Sequence, residues 1–153
     1  MARNIRTAMI ALIGGMVFSA MAGSAGSAIA ADGARIRIRA GDHMVTATLN
    51  DSAAARDFVA MLPLSLHMSD WLNREKVARL PAPLSENSPG VPTYQAGDLG
   101  YWRPSNNFVI YYLYDGTKLP PPGIVPLGKM DAGFEIFNAP GDVDVTVELP
   151  GKS

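Results

Sequence analysis

The sequence predicts a small, mainly antiparallel β-barrel carrying one helix. Three observations predict it. Arg35–Arg39 and Asp142–Leu149 alternate strictly between apolar and polar residues, the two-residue period of a strand with one buried face. A single stretch, 53–62, combines a helical apolar stripe with a start and a stop signal. The remaining β-rich runs, about seven or eight strands in all, are set apart by Gly and Pro and show no internal repeat.

Residues 1–30 stand apart from that pattern. Arg3 and Arg6 precede an apolar stretch from Thr7 to Phe18, and small residues end in Ala28-Ile29-Ala30. Positive, apolar, then small-x-small is the order of a secretory signal peptide, cleaved here after Ala30. Residues 31–153 are then the domain, and its place is the periplasm or the exterior. The alternative is a membrane anchor. A spanning helix wants about 20 predominantly apolar residues, whereas Gly14, Gly15, Ser19 and Gly23 interrupt this run. No Cys follows to take a lipid, so no stable anchor remains after cleavage.

In the domain, Arg35–Arg39 and His43–Leu49 form a hairpin with Ala40–Asp42 as its turn. The three arginines read as a solvated strand face, with an anion-binding stripe as the alternative. Asn50-Asp51-Ser52 caps a helix over 53–62. Ala54, Phe58, Met61 and Leu62 form its core stripe, and Pro63 ends it. Leu64–Met68 alternates as a strand with His67 outward. Glu75–Leu80 is short and ambiguous between strand and helix. Pro81, Pro83, Pro89, Gly90, Pro92 and Gly97 make 81–97 a long loop.

Asp98–Arg103 and Phe108–Tyr114 are strands, the second apolar on both faces as in the centre of a barrel or sandwich. Pro120, Pro121 and Pro122 make 118–123 a loop, because proline supplies no ladder donor. Ile124–Met130 is a strand, Asp131–Phe137 holds a turn of helix, and Asp142–Leu149 is the last strand. The charges at Asp142, Asp144 and Glu148 would deter edge pairing there.

Composition narrows the chemistry. The chain has 153 residues, 48% of them hydrophobic, with 13 Lys+Arg against 14 Asp+Glu and no Cys. That suits one domain with a core. Arg3 and Arg6 leave with the leader and no acid does, so the domain is mildly acidic and no nucleic-acid partner is expected. Without Cys there is no disulfide, thiolate nucleophile or Cys-bound metal. His43 and His67 lie far apart and lack a metal-ligand spacing. No Gly-x-Ser-x-Gly turn and no Gly-rich phosphate loop occurs. No cofactor is expected.

What stands out is a concentration of aromatics: Tyr94, Tyr101, Trp102, Phe108, Tyr111, Tyr112 and Tyr114. Tyr and Trp join an apolar face to a polar edge and suit binding clefts as well as cores. Leu99 and Tyr101 share one strand face, opposite Asp98, Gly100 and Trp102. Phe108, Ile110, Tyr112 and Tyr114 oppose Val109, Tyr111 and Leu113. One aromatic row must be core, and the other is free to line a pocket.

Several segments together resemble a known family. They are Ala54-Arg56-Asp57-Phe58, Leu62-Pro63-Leu64, Glu75-Lys76 with Leu80-Pro81, Gly97-Asp98-Leu99-Gly100-Tyr101-Trp102 with Pro104, Tyr111-Tyr112, and Leu127-Gly128 with Met130. Over residues 34–149 the chain resembles the bacterial cyclophilin-like domain family. The resemblance implies a closed antiparallel barrel of cyclophilin type with its helix at the barrel mouth. True cyclophilins surround a proline-sized pocket with a catalytic arginine, aromatics, a Gln and a His. Arg79 and Arg103 match that arginine only by residue type, and neither His43 nor His67 sits in such a motif.

Three functions remain in play. The first is an exported protein that binds a peptide or small molecule in a barrel-side cleft, with Glu75, Tyr101 and Tyr112 as cleft polar groups. For Glu75 the alternative is a surface charge paired with Lys76 or Arg79. The second is a peptidyl-prolyl cis-trans isomerase with a non-standard site, which needs only a dry pocket and a donor for the twisted amide. The third is a structural or interaction module using a strand edge. The sequence leaves the ligand and the oligomeric state open.

Overall fold

The computed structural model describes residues 33–151. The expected leader and its cleavage site at Ala30 lie outside the described residues. Eight strands form the fold: β1 (Arg35–Ala40), β2 (His43–Leu49), β3 (Leu64–Trp71), β4 (Glu75–Arg79), β5 (Asp98–Trp102), β6 (Asn107–Tyr111), β7 (Val125–Met130) and β8 (Val143–Glu148). They close into one barrel in the order β1-β2-β7-β5-β6-β4-β3-β8, every pairing antiparallel. Closure leaves no free edge strand in the barrel. β8 is bonded to β1 and β3 on its two sides, so it is not an edge at all.

Alternation decides which side chains fill the interior. Ile36, Ile38, Ala47, Leu49, Leu66, Met68, Leu99, Tyr101, Phe108, Ile110, Leu127 and Val147 all point inward and are buried. The arginines of β1 point outward, and Arg35 pairs with Asp131 at 2.9 Å. The ambiguous 75–80 segment is a strand because β3 and β6 hold its backbone on both sides.

α1 (Ala53–Ala60) starts where Ser52 accepts a hydrogen bond from the Ala55 amide at 3.1 Å. It is two residues shorter than the sequence predicts. Met61 and Leu62 still pack against the core from the turn that follows. Phe58 stacks on Phe108 of β6, ring centres 4.8 Å apart, which sets the helix into the barrel core. Among the described residues no helix is long and apolar enough to cross a membrane.

The strand expected over Phe108–Tyr114 stops at Tyr111. Beyond it the amides of Tyr112 and Leu113 both donate to the Arg74 carbonyl, at 3.0 and 3.2 Å, in place of a regular ladder. Both faces of β6 are nonetheless covered. Outside the barrel, Tyr94, Leu119 and Ile124 lie over Val109 and Tyr111 as a second apolar cluster. An isolated bridge between Val91 and Ile124 holds that cover in place. Gly100 makes room for it, since a Cβ there would stand 2.4 Å from the Ile124 side chain.

At one end of the interior the apolar filling gives way to charge. Lys76 is 1% exposed, and its ammonium donates to Asp70 and to the carbonyls of Ala139 and Gly141 at 2.6 and 2.7 Å. The Tyr112 hydroxyl donates to Asp70 at 3.0 Å. Every donor of the ammonium is satisfied, as a buried charge requires.

Candidate functional site

A cavity of about 620 Å³ lies on the outer face of β3, β4, β6 and β5, beside the second apolar cluster. That volume is within the range of small-molecule sites, roughly 300–1,000 Å³. Cross-strand register builds its floor in rows. Trp71, Glu75 and Tyr111 stand side by side across β3, β4 and β6. Ser69, Val77 and Val109 form the next row, and Asn107 with Trp102 of β5 closes the far end. Leu119 and Pro120 form a wall from the proline loop.

The β3–β4 turn shapes the mouth. Leu72 and Asn73 have φ of 54° and 52°, and the Arg74 amide donates to the Trp71 carbonyl at 3.3 Å. A left-handed conformation at a leucine costs on the order of 1–2 kcal/mol. The turn holds Trp71 and Leu72 at the mouth, 56% and 60% exposed. Large apolar side chains left in water beside an apolar cavity mark a contact surface.

The electrostatics separate two adjacent charges. Arg74 pairs with Asp115 at 3.2 Å and lies over the Tyr94 ring, 5.7 Å from its centre. Tyr94 stacks on Tyr111 at 4.0 Å between centres and donates its hydroxyl to Asp115 at 3.0 Å. Asp115 is held well below the usual carboxylate range, first by hydrogen bonds from Thr117 and then by Tyr94 and Arg74. The Arg74 guanidinium is thus engaged through its terminal nitrogen, while its buried Nε has no acceptor among the described residues. Glu75 forms no ion pair among the described residues. Burial pushes its carboxyl up, only partly opposed by the Arg74 charge and the Tyr111 hydroxyl. Tyr111 is itself pushed far up by burial and then by the Glu75 charge.

Of the three residues expected to supply cleft polar groups, the structure brings Glu75 alone to this cavity. Tyr101 points into the barrel, where its hydroxyl donates to Asn106 at 3.0 Å. Tyr112 belongs to the Asp70–Lys76 cluster, and its phenol is pushed up to about 12 by burial and then by Asp70. Arg79 is exposed on β4, and Arg103 donates to the Ser88 carbonyl at 2.6 Å, tying down the 81–97 loop. The arginine beside the cavity is Arg74, which sequence reasoning did not single out. Its place just before a strand carrying Glu75 was the available signal.

The histidines lie elsewhere. His43 is exposed on β2, and His67 bridges Asp144 and Asp142 at 2.7 and 3.1 Å beside a polar groove. Among the described residues no group of His, Cys, Asp and Glu is placed to hold a metal ion.

A family model described as the cyclophilin-like family matches residues 38–148. The solved solution structure of the hypothetical protein AF2241 from Archaeoglobus fulgidus is similar in fold, with a TM-score of 0.59 at 19% identity. The match covers 78% of this chain and 96% of that one. No curated protein is significantly similar to the chain.

Proposed function

The chain belongs to the cyclophilin-like family, and from that premise we propose that it is an exported binding protein that takes a peptide segment or a small molecule in its barrel-side cavity. One observation carries the reading: exposed Trp71 and Leu72 stand at the mouth of a ligand-sized apolar cavity with a buried carboxyl in its floor. The left-handed turn at Leu72 and Asn73 keeps them there. The leader-like order of residues 1–30 supports export. A fragment library added to the labelled protein tests the binding reading through amide and indole shifts. Shifts at Trp71, Glu75 and Trp102 are the expected result; shifts that avoid all three would refute it.

One observation favours a second reading, a peptidyl-prolyl isomerase. The Nε of Arg74, a residue of the cavity lining, has no acceptor among the described residues. A guanidinium beside an apolar pocket is the kind of donor that stabilises a twisted amide. A coupled assay on proline peptides decides between them. A rate above background that Arg74→Ala abolishes favours the isomerase, and a background rate from folded protein ends that reading.

A further inference from the structure

The cavity carries a carboxylate that has no ion-pair partner among the described residues. Arg74 and Glu75 are the two charged residues of its lining. Arg74 is committed to Asp115, itself an anion, and to the face of Tyr94. That leaves Glu75 without an ion-pair partner among the described residues, buried between Trp71 on one side and Tyr111 on the other. A buried carboxylate without a counter-charge is costly. The cost falls if an arriving ligand supplies the cation.

The walls around Glu75 favour the same sign. Trp71 and Tyr111 are its direct cross-strand neighbours, and aromatic faces attract cations. An anionic ligand would meet the carboxylate, and the Arg74 charge beside it is already paired with Asp115. A neutral donor would leave the charge of Glu75 uncompensated. The rest of the floor, through Val77 and Val109 to Trp102, is apolar with Ser69, Ser105 and Asn107 at its margins. The Asn107–Trp102 row lies four residue steps along β4 from the Glu75 row, about 13 Å at roughly 3.3 Å per residue.

Resting on the binding reading above, we propose that the ligand is a small amine with an apolar body. Its ammonium pairs with Glu75, and its body lies along Val77 and Val109 toward Trp102. The groups that face Glu75 are Arg74 from the turn and Tyr111 from β6, with Tyr94 and Asp115 behind them. Of these only Arg74 carries a positive charge, and Asp115 neutralises it. The ammonium therefore gains the attraction of a carboxylate in a poorly solvated place.

Three probes of equal length test this on the unmodified protein: 4-phenylbutylamine, 4-phenylbutanol and 4-phenylbutyrate. Binding is measured at pH 8 by calorimetry and located by shifts at Trp71 and Trp102. The amine is expected to bind at least about tenfold tighter than the alcohol, and the acid most weakly. Glu75→Gln is expected to reduce the amine to the level of the alcohol and leave the alcohol unchanged. On acidification the advantage of the amine fades as Glu75 takes up its proton. If the alcohol or the acid binds in the cavity as tightly as the amine, the ligand class is wrong and the binding reading stands. If no probe moves any cavity residue, both are wrong. The comparison among the three probes holds whether or not the variant folds.

Discussion

Glu75 and Lys76 are consecutive in β4 and stand on opposite faces of it. Lys76 is sealed inside the barrel on Asp70 and two loop carbonyls, and Glu75 looks outward into the cavity with no counter-ion among the described residues. The pleat of one strand thus gives one charge to structure and the next to the candidate site. The inner charge is fully bonded, and the outer one has no ion-pair partner among the described residues.

Breaking the inner cluster is expected to be severe. Lys76→Ala leaves partly buried Asp70 without its counter-charge and the carbonyls of Ala139 and Gly141 without the ammonium that donates to them, at a cost of about 3–5 kcal/mol. Urea denaturation of wild type and variant measures it, and a loss below about 1 kcal/mol would contradict the role assigned to Lys76.

Asp70 sets part of the acid limit of stability. Burial raises its carboxyl, but hydrogen bonds from Lys76 and Tyr112 outweigh that, and the native value lies below the ordinary one. A carboxyl depressed in the native state adds stability above its unfolded value and loses it as pH falls through the native one. Asp70→Asn is therefore expected to flatten the stability profile below pH ~4. Denaturant midpoints across that range show whether it does.

For Glu75 the sign is the opposite. Its native value is raised by burial, so the native state holds the proton more tightly. Stability then declines as pH rises from the unfolded value, ~4.3, toward the native one. Glu75→Gln is expected to melt higher than wild type at pH 7 while losing its preference for amines. A lower melting temperature would mean that Glu75 is a structural group.

Leu72 offers a further trade. Its φ of 54° is a conformation that glycine adopts without strain. Leu72→Gly is expected to stabilise the fold by about 1 kcal/mol and to weaken binding of apolar probes, because the mouth loses a side chain. Thermal melts and probe titrations on one preparation read both effects.

His67 is held charged to higher pH than a free imidazole, first by its hydrogen bonds with Asp144 and Asp142 and then by the Asp144 charge. NMR titration is expected to place its midpoint above ~6.5. In Asp144→Asn that midpoint should fall. The matching stability is present below the unfolded value and lost as pH rises through the native one.

The half-buried elements were legible in the sequence because period-two alternation is a direct trace of one dry face. That covers β1 and β8, and the Ser52 cap and the Phe58 stripe were equally plain. Residue parity also sorted the aromatics of β5 and β6 into the rows observed, except for Tyr114, which lies beyond the end of β6, exposed, with its ring edge-on to Tyr94 of the outer cluster. Parity is relative, however. With both faces of β6 apolar, it could not say that the row of Tyr101, Phe108 and Tyr112 faces inward. The outer cover comes from Tyr94, Leu119 and Ile124, joined through the Val91–Ile124 bridge, a long-range pairing that leaves no local trace. Arg74 was missed for a similar reason. It sits in a turn, and Asp115, 41 residues away, gives it its role.

The most direct test of ligand binding at this barrel face is a crystal structure of the protein soaked with a library of small apolar and amine fragments. Bound fragments are expected between Trp71, Val77 and Trp102, with amines reaching Glu75. Fragments gathered in the groove beside His67, or a cavity left empty across the whole library, would contradict it.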